Sequence, residues 1–395
     1  MTTKIIRIYL HFSFLTQLAH SFFFATYQIF LVGHGLSLMQ INLINFFYMS
    51  SCFLLQVPTG AFADIFGRRP SVILGCFITA LSFLIYYFSD GFAAFAAAEI
   101  IGALGMTFIS GAIDAWVVDS LEFYGYDGTI EKINERKGGY ITVGGIIGSL
   151  TGALAGNYDI ALPWLLTTIG MTLVGGYAVW KLKESYREGG ARKDPFAKMR
   201  KTAAEGMKYG LRRKSILYAI SFGTLMTLCF QGPNMQWPLV FQSYGLSVAE
   251  LGLLYNAISI LVFAGNKLSG KITKLFPREK DALILGQIIT VIGLLIASAM
   301  LGLGPTLIGF LVHEMGRGTF PPLEQGYLNR RLESDKRATV LSFGSMIKQL
   351  GSAVGLLLSG YLANSFSIGV SWLVSGIILG AGIIIFWQLK TKDNY

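Results

Sequence analysis

The 395-residue sequence predicts an all-α membrane protein with twelve transmembrane helices in two pseudo-symmetric six-helix bundles. Three observations carry that prediction: the composition, the length of the apolar runs, and the likeness of the two halves. Charged residues make up 14% and hydrophobic residues 53% of the chain, where a soluble protein carries roughly 25% charged residues. So little polar surface cannot cover a globule of this size. A cytosolic enzyme, a disordered tail protein and a nucleic-acid binder are excluded despite a net charge of +10. Three cysteines and no CxxC spacing give neither a disulfide framework nor a zinc site. The many Phe and Gly residues suit helices packed in lipid, where small side chains let backbones approach closely.

A membrane span needs about 20 mostly apolar residues. The runs that meet this are 6–32, 40–62, 71–89, 92–119, 138–156, 161–181, 215–243, 247–269, 282–301, 305–327, 339–363 and 367–389. The first is too long for a cleavable signal and lacks a small-residue cleavage site, so it is expected to stay in the membrane. Lys and Arg mark alternate gaps. Lys4 and Arg7 precede the first span, Arg68 and Arg69 follow the second, and Lys132, Arg136 and Lys137 follow the fourth. Lys271, Lys274, Arg278 and Lys280 follow the eighth, and Arg330, Arg331, Lys336 and Arg337 the tenth. The intervening gaps hold only His34, Asp90, Asp159 and Glu250 as ionisable residues. The positive-inside rule then puts both termini in the cytoplasm and accounts for the basic balance without nucleic acid.

The longest hydrophilic stretch, 182–214, divides the chain into an N-terminal bundle, 1–181, and a C-terminal bundle, 215–395. Phe196, Met199, Ala203, Met207 and Leu211 recur there at helical spacing, which suits either an amphipathic helix on the anionic inner leaflet or a solvated basic linker. Gly60-x-x-x-Asp64-x-x-Gly67-Arg68-Arg69 after the second span returns as Gly270-x-x-x-Lys274-x-x-Pro277-Arg278 after the eighth. Gly144, Gly148, Gly152 and Gly156 in the fifth span are matched by Gly344, Gly351, Gly355 and Gly360 in the eleventh, and both rows are expected to form close helix contacts. Such internal duplication is one way to build an alternating-access transporter.

Gly60-Ala-Phe-Ala-Asp64-Ile-Phe-Gly67-Arg68-Arg69 resembles the signature loop of the major facilitator superfamily, and length, span count and central linker agree over the whole chain. The resemblance implies two six-helix bundles around a cavity lined mainly by spans 1, 4, 7 and 10. It is nearest to bacterial drug–proton antiporters, and Ser110-Gly111-Ala112-Ile113-Asp114-Ala115-Trp116 resembles their relatives too. Two features depart from those antiporters. Glu99 stands early in span 4 where they carry an Arg, leaving Arg317 or Lys348 to supply a positive charge. The glycine row of span 5 also lacks their proline.

Asp64 is placed to favour the start of span 3 and to pair with a nearby Arg, with Gly60 and Gly67 allowing close approach and a tight turn. The loop is expected to latch the bundles on the inner side; its plainer reading is a basic loop with a helix cap. Charge at the bilayer centre costs about 2.5–3.5 kcal/mol per side chain on insertion scales. Glu99 and Asp114 on span 4, and His313, Glu314 and Arg317 on span 10, are therefore candidate proton-coupling residues. Glu314 and Arg317, and His313 and Arg317, share one helix face. The competing reading is a static ion pair that fixes helix packing. Asp119 and Glu324 read as gate or interface charges, and Lys348 either pairs with an acid or snorkels.

Gln17, His20, Phe24 and Gln28 form one polar and aromatic face of span 1, suited to cavity lining or to interhelical hydrogen bonds. His11 lies off it. In span 7, Gln231, Asn234, Gln236 and Trp237 surround Pro233 and Pro238, which are expected to break the helix where protein or a wet cavity covers it. Pro321 and Pro322 should bend span 10. No phosphate loop, nucleophilic triad or metal-ligand spacing occurs, so neither an enzyme nor a cofactor or metal is expected.

The expected function is secondary active transport, with proton-coupled efflux of an apolar or amphiphilic compound leading. Proton-coupled uptake of a nutrient or metabolite, and lipid translocation, are the alternatives. The expected partners are a small-molecule substrate, protons and membrane lipids, with the chain a monomer in a bacterial inner or plasma membrane.

Overall fold

The computed structural model describes residues 1–184, 208, 213–276, 278–332 and 334–389, the side chains of 334–339 and 342 excepted. Most of the hydrophilic stretch, with its helical repeat, lies outside the described residues. In chain order the helices are α1 Thr2–His20, α2 Tyr27–Gly33, α3 Leu38–Phe66, α4 Arg68–Phe88, α5 Phe92–Phe123, α6 Ile130–Tyr158 and α7 Leu162–Lys181. After the hydrophilic stretch come α8 Lys214–Ser243, α9 Val248–Leu275, α10 Glu279–Ser298, α11 Leu303–Asn329, α12 Ser334–Ser365 and α13 Ile368–Gln388. Among the described residues, 10 helices, α3–α10, α12 and α13, are long and apolar enough to cross a membrane.

Two expectations are corrected. The first span is not one helix but two, α1 and α2. Between them Phe24 N–H donates to Ser21 O at 3.3 Å and Thr26 N–H to Phe23 O at 3.0 Å, a tighter winding than the α-helix. The Thr26 hydroxyl also bonds Phe23 O at 3.1 Å, and such a side-chain bond competes with the helical ladder. No Gly or Pro announces this break. Conversely, α8 runs unbroken through Pro233 and Pro238.

Helix starts follow local chemistry. Ser37 and Gln40 exchange bonds at the start of α3, Ser37 N–H to Gln40 Oε1 at 2.9 Å and Gln40 N–H to Ser37 Oγ at 3.2 Å. Ser247 and Glu250 repeat the exchange at the start of α9, at 2.7 and 3.3 Å. Each is a capping box that satisfies two donors at a helix start. Before each box stands a glycine with positive φ, Gly35 at 77° and Gly245 at 93°, as a left-handed helix stop requires.

By contact the chain forms two units. The first holds Met1–Leu36, the chain from Ile44 through α7, and Ser247–Asn256; the second holds Ser37–Leu43, Leu246 and the preceding residues of α8, and Ala257 onward. In the first unit the α6 glycine row lies on α1: a Cβ on Gly144, Gly148 or Gly152 would meet Phe14 O, Leu18 O or Phe22 O. In the second, Gly351 and Gly355 of α12 lie on the α8 backbone at Thr224 and Leu228. The first core gathers Tyr9, Phe12, Val72, Trp116, Met171 and Val174; the second gathers Phe222, Met226, Leu283, Phe320, Leu379 and Phe386.

Candidate functional site

The break between α1 and α2 turns Phe23 and Phe24 into a cavity of about 240 Å³ in the first unit. His20, Phe24 and Gln28 line it, so three of the four residues on the predicted span 1 face meet there. Gln17 lies one turn away, its amide donating to Ser21 Oγ at 2.9 Å. Aromatic rings form the wall. Trp164 stacks on Tyr86 with centroids 4.2 Å apart at 5° and on Phe23 at 4.9 Å and 19°. His20 meets Phe23, Phe24 and Phe83 edge-on, with centroids at 5.2, 5.5 and 5.7 Å. Each such ring pair is worth about 0.5–1.5 kcal/mol beyond area burial, so the wall is stiff.

Glu99 of α5 reaches this cavity. Its Oε1 accepts from Tyr86 OH at 2.7 Å and from Tyr27 OH at 3.0 Å, and Asn45 Nδ2 donates to Tyr27 OH at 2.8 Å. Its Oε2 has no hydrogen-bond partner among the described residues, and no Lys or Arg lines the cavity. Tyr27, Asn45 and Tyr86 were missed at the sequence level. Asn45 alone gave a signal, as an amide inside an apolar run.

Asp114 stands elsewhere. Its Oδ1 accepts from Tyr9 OH at 2.6 Å and pairs with Lys137 Nζ at 2.6 Å, and its side chain is 58% exposed. The cation beside it is Lys137. Lys137 lies inside α6 because that helix starts at Ile130, ahead of the predicted 138. Thr129 before it and Glu131 in its first turn are the start signals that were overlooked.

The signature loop is tied within the first unit. Arg68 pairs with Asp64 at 2.6 Å and with Asp119 at 3.4 Å. Glu184, not Asp64, caps α4: its two oxygens accept from the N–H groups of Arg68 at 2.9 Å and Arg69 at 3.2 Å. A carboxylate there satisfies orphan donors and favours the helix dipole. The Arg69 guanidinium donates to Val179 O at 3.0 Å. Gly67 has φ 113°, as the turn requires, whereas nothing lies within 4 Å of the Cβ position of Gly60.

In the second unit His313 and Glu314 are buried at 0% and 1% exposure. The Arg317 guanidinium donates to Glu314 Oε2 through Nε at 2.9 Å and through a second nitrogen. Glu314 Oε1 and His313 Nε2 lie 3.8 Å apart, and neither has a hydrogen-bond partner among the described residues. His313 Nδ1 is 3.3 Å from Thr290 O. About two turns beyond Arg317, Glu324 accepts from Lys348 Nζ at 2.7 Å, so Lys348 is a pairing residue and does not snorkel.

The span 7 residues separate. Gln236 is 1% exposed, donating to Ser359 O and accepting from Trp372 Nε1, both at 3.1 Å. Trp237 is 6% exposed and stacks on Phe310 at 6.4 Å. Gln231 bonds Thr227 O one turn back at 3.1 Å, and Asn234 is half-buried. Among the described residues no cluster of His, Cys, Asp or Glu could hold a metal ion.

Apolar helices of spanning length, carrying buried ion pairs and an aromatic cavity with one carboxyl group, define a membrane carrier of small molecules. The chain belongs to the Major Facilitator Superfamily, whose model matches residues 12–235 and 215–394. It is 24% identical over 396 residues to the uncharacterized MFS-type transporter YxaM of Bacillus subtilis (strain 168), covering 98% of this chain and 96% of that protein. It is 25% identical over 356 residues to the tetracycline resistance protein, class H, of Pasteurella multocida, covering 85% and 83%. The fold matches the crystal structure of the nucleoside transporter NupG with a TM-score of 0.78 at 12% identity, over 98% of this chain and 100% of that one. The protein is thus a secondary active transporter that moves a small molecule by alternating access, and not an enzyme.

Proposed function

We propose that this transporter exports a small apolar or amphiphilic compound in exchange for protons, with Glu99 as the group that takes up and releases the proton. One observation carries the reading: a carboxyl group held on one oxygen by two tyrosines, open on the other, in an aromatic cavity with no Lys or Arg in its lining. A carboxylate in apolar surroundings must be paired or neutralised. A proton neutralises it when the cavity is empty, and the cationic head of an incoming amphiphile takes the place of that proton as the carboxylate's partner. The ring wall offers flat, apolar contact area, which suits the efflux direction, as does the likeness to a tetracycline resistance protein. His313, Glu314 and Arg317 are the second coupling group, the orphaned pair of atoms giving a proton two places to rest. Gln231 and Asn234 are the span 7 residues left to meet substrate. Asp64, Arg68 and Asp119, with Glu184 and Arg69, form the latch.

The test is substrate-driven proton release from reconstituted vesicles under an imposed pH gradient, with tetracycline as the first probe in a ligand screen by thermal shift. Glu99→Gln is expected to lose proton release by tenfold or more while keeping the wild-type melting temperature in detergent. Wild-type exchange with an unchanged pH profile in that variant would overturn the proton role. Energised accumulation of labelled ligand in cells, in place of raised tolerance on overexpression, would reverse the direction.

A further inference from the structure

A second cleft, of about 350 Å³, opens at the Lys/Arg-rich end of the first unit. It lies among the start of α1, the end of α5, the end of α7 and Lys183 just beyond it, and shares no lining residue with the Glu99 cavity. Lys4, Lys181 and Lys183 line it, and none of them pairs with a carboxylate among the described residues. Ser120 also lines it; the residue is 2% exposed and its Oγ has no hydrogen-bond partner. A buried hydroxyl left without a partner needs an explanation such as a ligand.

The floor and rim differ from those of a site for a free ion. Ile5 and Ile8 are buried beneath the lysines. Trp116 is buried and its Nε1 donates to Lys183 O at 2.8 Å, which fixes the Lys183 backbone against α5. Trp180 stands at the rim 71% exposed, with the Lys181 ammonium 3.0 Å from its ring centroid. Tryptophan and lysine at a helix end belong to the level of lipid headgroups, and clustered cations there attract anionic lipid.

We infer that this cleft holds the phosphate group of an anionic phospholipid, its charge met by Lys4, Lys181 and Lys183, its oxygen by the Ser120 hydroxyl, and its glycerol and first acyl carbons by Trp180, Ile5 and Ile8. The lipid is then a bound ligand of the carrier, and the site is independent of the exported compound.

The experiment uses the purified full chain in a nonionic detergent and reads the unfolding midpoint during titration with phosphatidylglycerol, phosphatidylcholine or inorganic phosphate. Phosphatidylglycerol is expected to raise the midpoint, and the other two are not. The Lys4→Gln/Lys181→Gln/Lys183→Gln variant should need roughly tenfold or more phosphatidylglycerol for the same shift, given the pull of each cation near an anionic surface. Its lipid-free midpoint should stay close to wild type, because the three ammonium groups make no ion pair among the described residues and the Lys181–Trp180 ring contact that is lost is worth little at an exposed site. Ser120→Ala should weaken the response without abolishing it. If the triple variant fails to fold, Lys183→Gln alone keeps the test, read by quenching of Trp180 with brominated phosphatidylglycerol against a Trp180→Phe control. An unchanged phosphatidylglycerol response in the lysine variants overturns the site. An equal shift with inorganic phosphate makes it a free-anion site and overturns the lipid assignment.

Discussion

Glu324 shows how finely a buried charge is held. One oxygen accepts from Lys348; the other has no hydrogen-bond partner among the described residues and points at Gly223 of α8, where an added Cβ would collide with it. Truncating one member of a buried pair leaves an uncompensated charge and costs about 3–5 kcal/mol. Lys348 is itself 27% exposed on its side chain, so Lys348→Met should cost near the lower bound, about 3 kcal/mol. The double change Glu324→Gln/Lys348→Met should recover most of it. Thermal unfolding in detergent checks both, and a double variant as unstable as the single would show that packing of the lysine stem is what matters. At this scale the sequence yields the residues but not their company. Glu99 could be singled out because an acid in an apolar run is rare. Tyr27 and Tyr86 could not, since tyrosines are common in spans and only the fold brings these two to one carboxyl oxygen.

The helices meet through glycine where their backbones touch. Gly152 of α6 lies so close to Phe22 O that no side chain fits, and the obstacle is backbone, which cannot turn aside. Gly138 on the same helix has nothing within 4 Å of its Cβ position. Gly152→Ala should therefore push α6 off α1 and lower the melting temperature by several degrees or prevent folding. Gly138→Ala should be neutral or raise stability by about 0.5–1 kcal/mol through reduced chain entropy. Thermal unfolding of the two alanine variants side by side separates these cases, and equal effects would mean that the row is not a contact surface. The glycine row was legible from its spacing alone. The α1–α2 break was not, because Ser21 to Thr26 carries no Gly or Pro and the winding changes through hydroxyl and turn bonds instead. The reverse error in α8 has the same root: the prolines forfeit hydrogen bonds locally, while tertiary packing around Gln236 and Trp237 keeps the helix whole. The capping boxes at Ser37 and Ser247 were readable as Ser-x-x-Gln and Ser-x-x-Glu after Gly-Leu, a cleaner internal repeat than the loop motif.

Over the whole molecule the charges sort by helix end. The described turns that follow α2, α6, α8 and α10, and the one between α4 and α5, carry no Lys or Arg. The opposite ends carry the Arg68 and Arg69 network, Lys137 with Asp114, and Arg330 and Arg331 on Glu279 at 2.6 and 2.7 Å. Moving Lys and Arg across a membrane is disfavoured during insertion, so the basic ends should be cytoplasmic, and both termini with them. Single cysteines read this out in a background where Cys52, Cys76 and Cys229 are replaced; of these Cys76 and Cys229 are buried in any case. Cysteine at the exposed positions Asp90 and Asp159 should react with a membrane-impermeant maleimide on intact cells. Cysteine at the exposed positions Asp127 and Lys274 should react only after the membrane is opened. The reverse pattern would invert the carrier and, with it, the side from which Glu99 must draw its proton. It would also place the Lys4, Lys181 and Lys183 cleft against the outer leaflet.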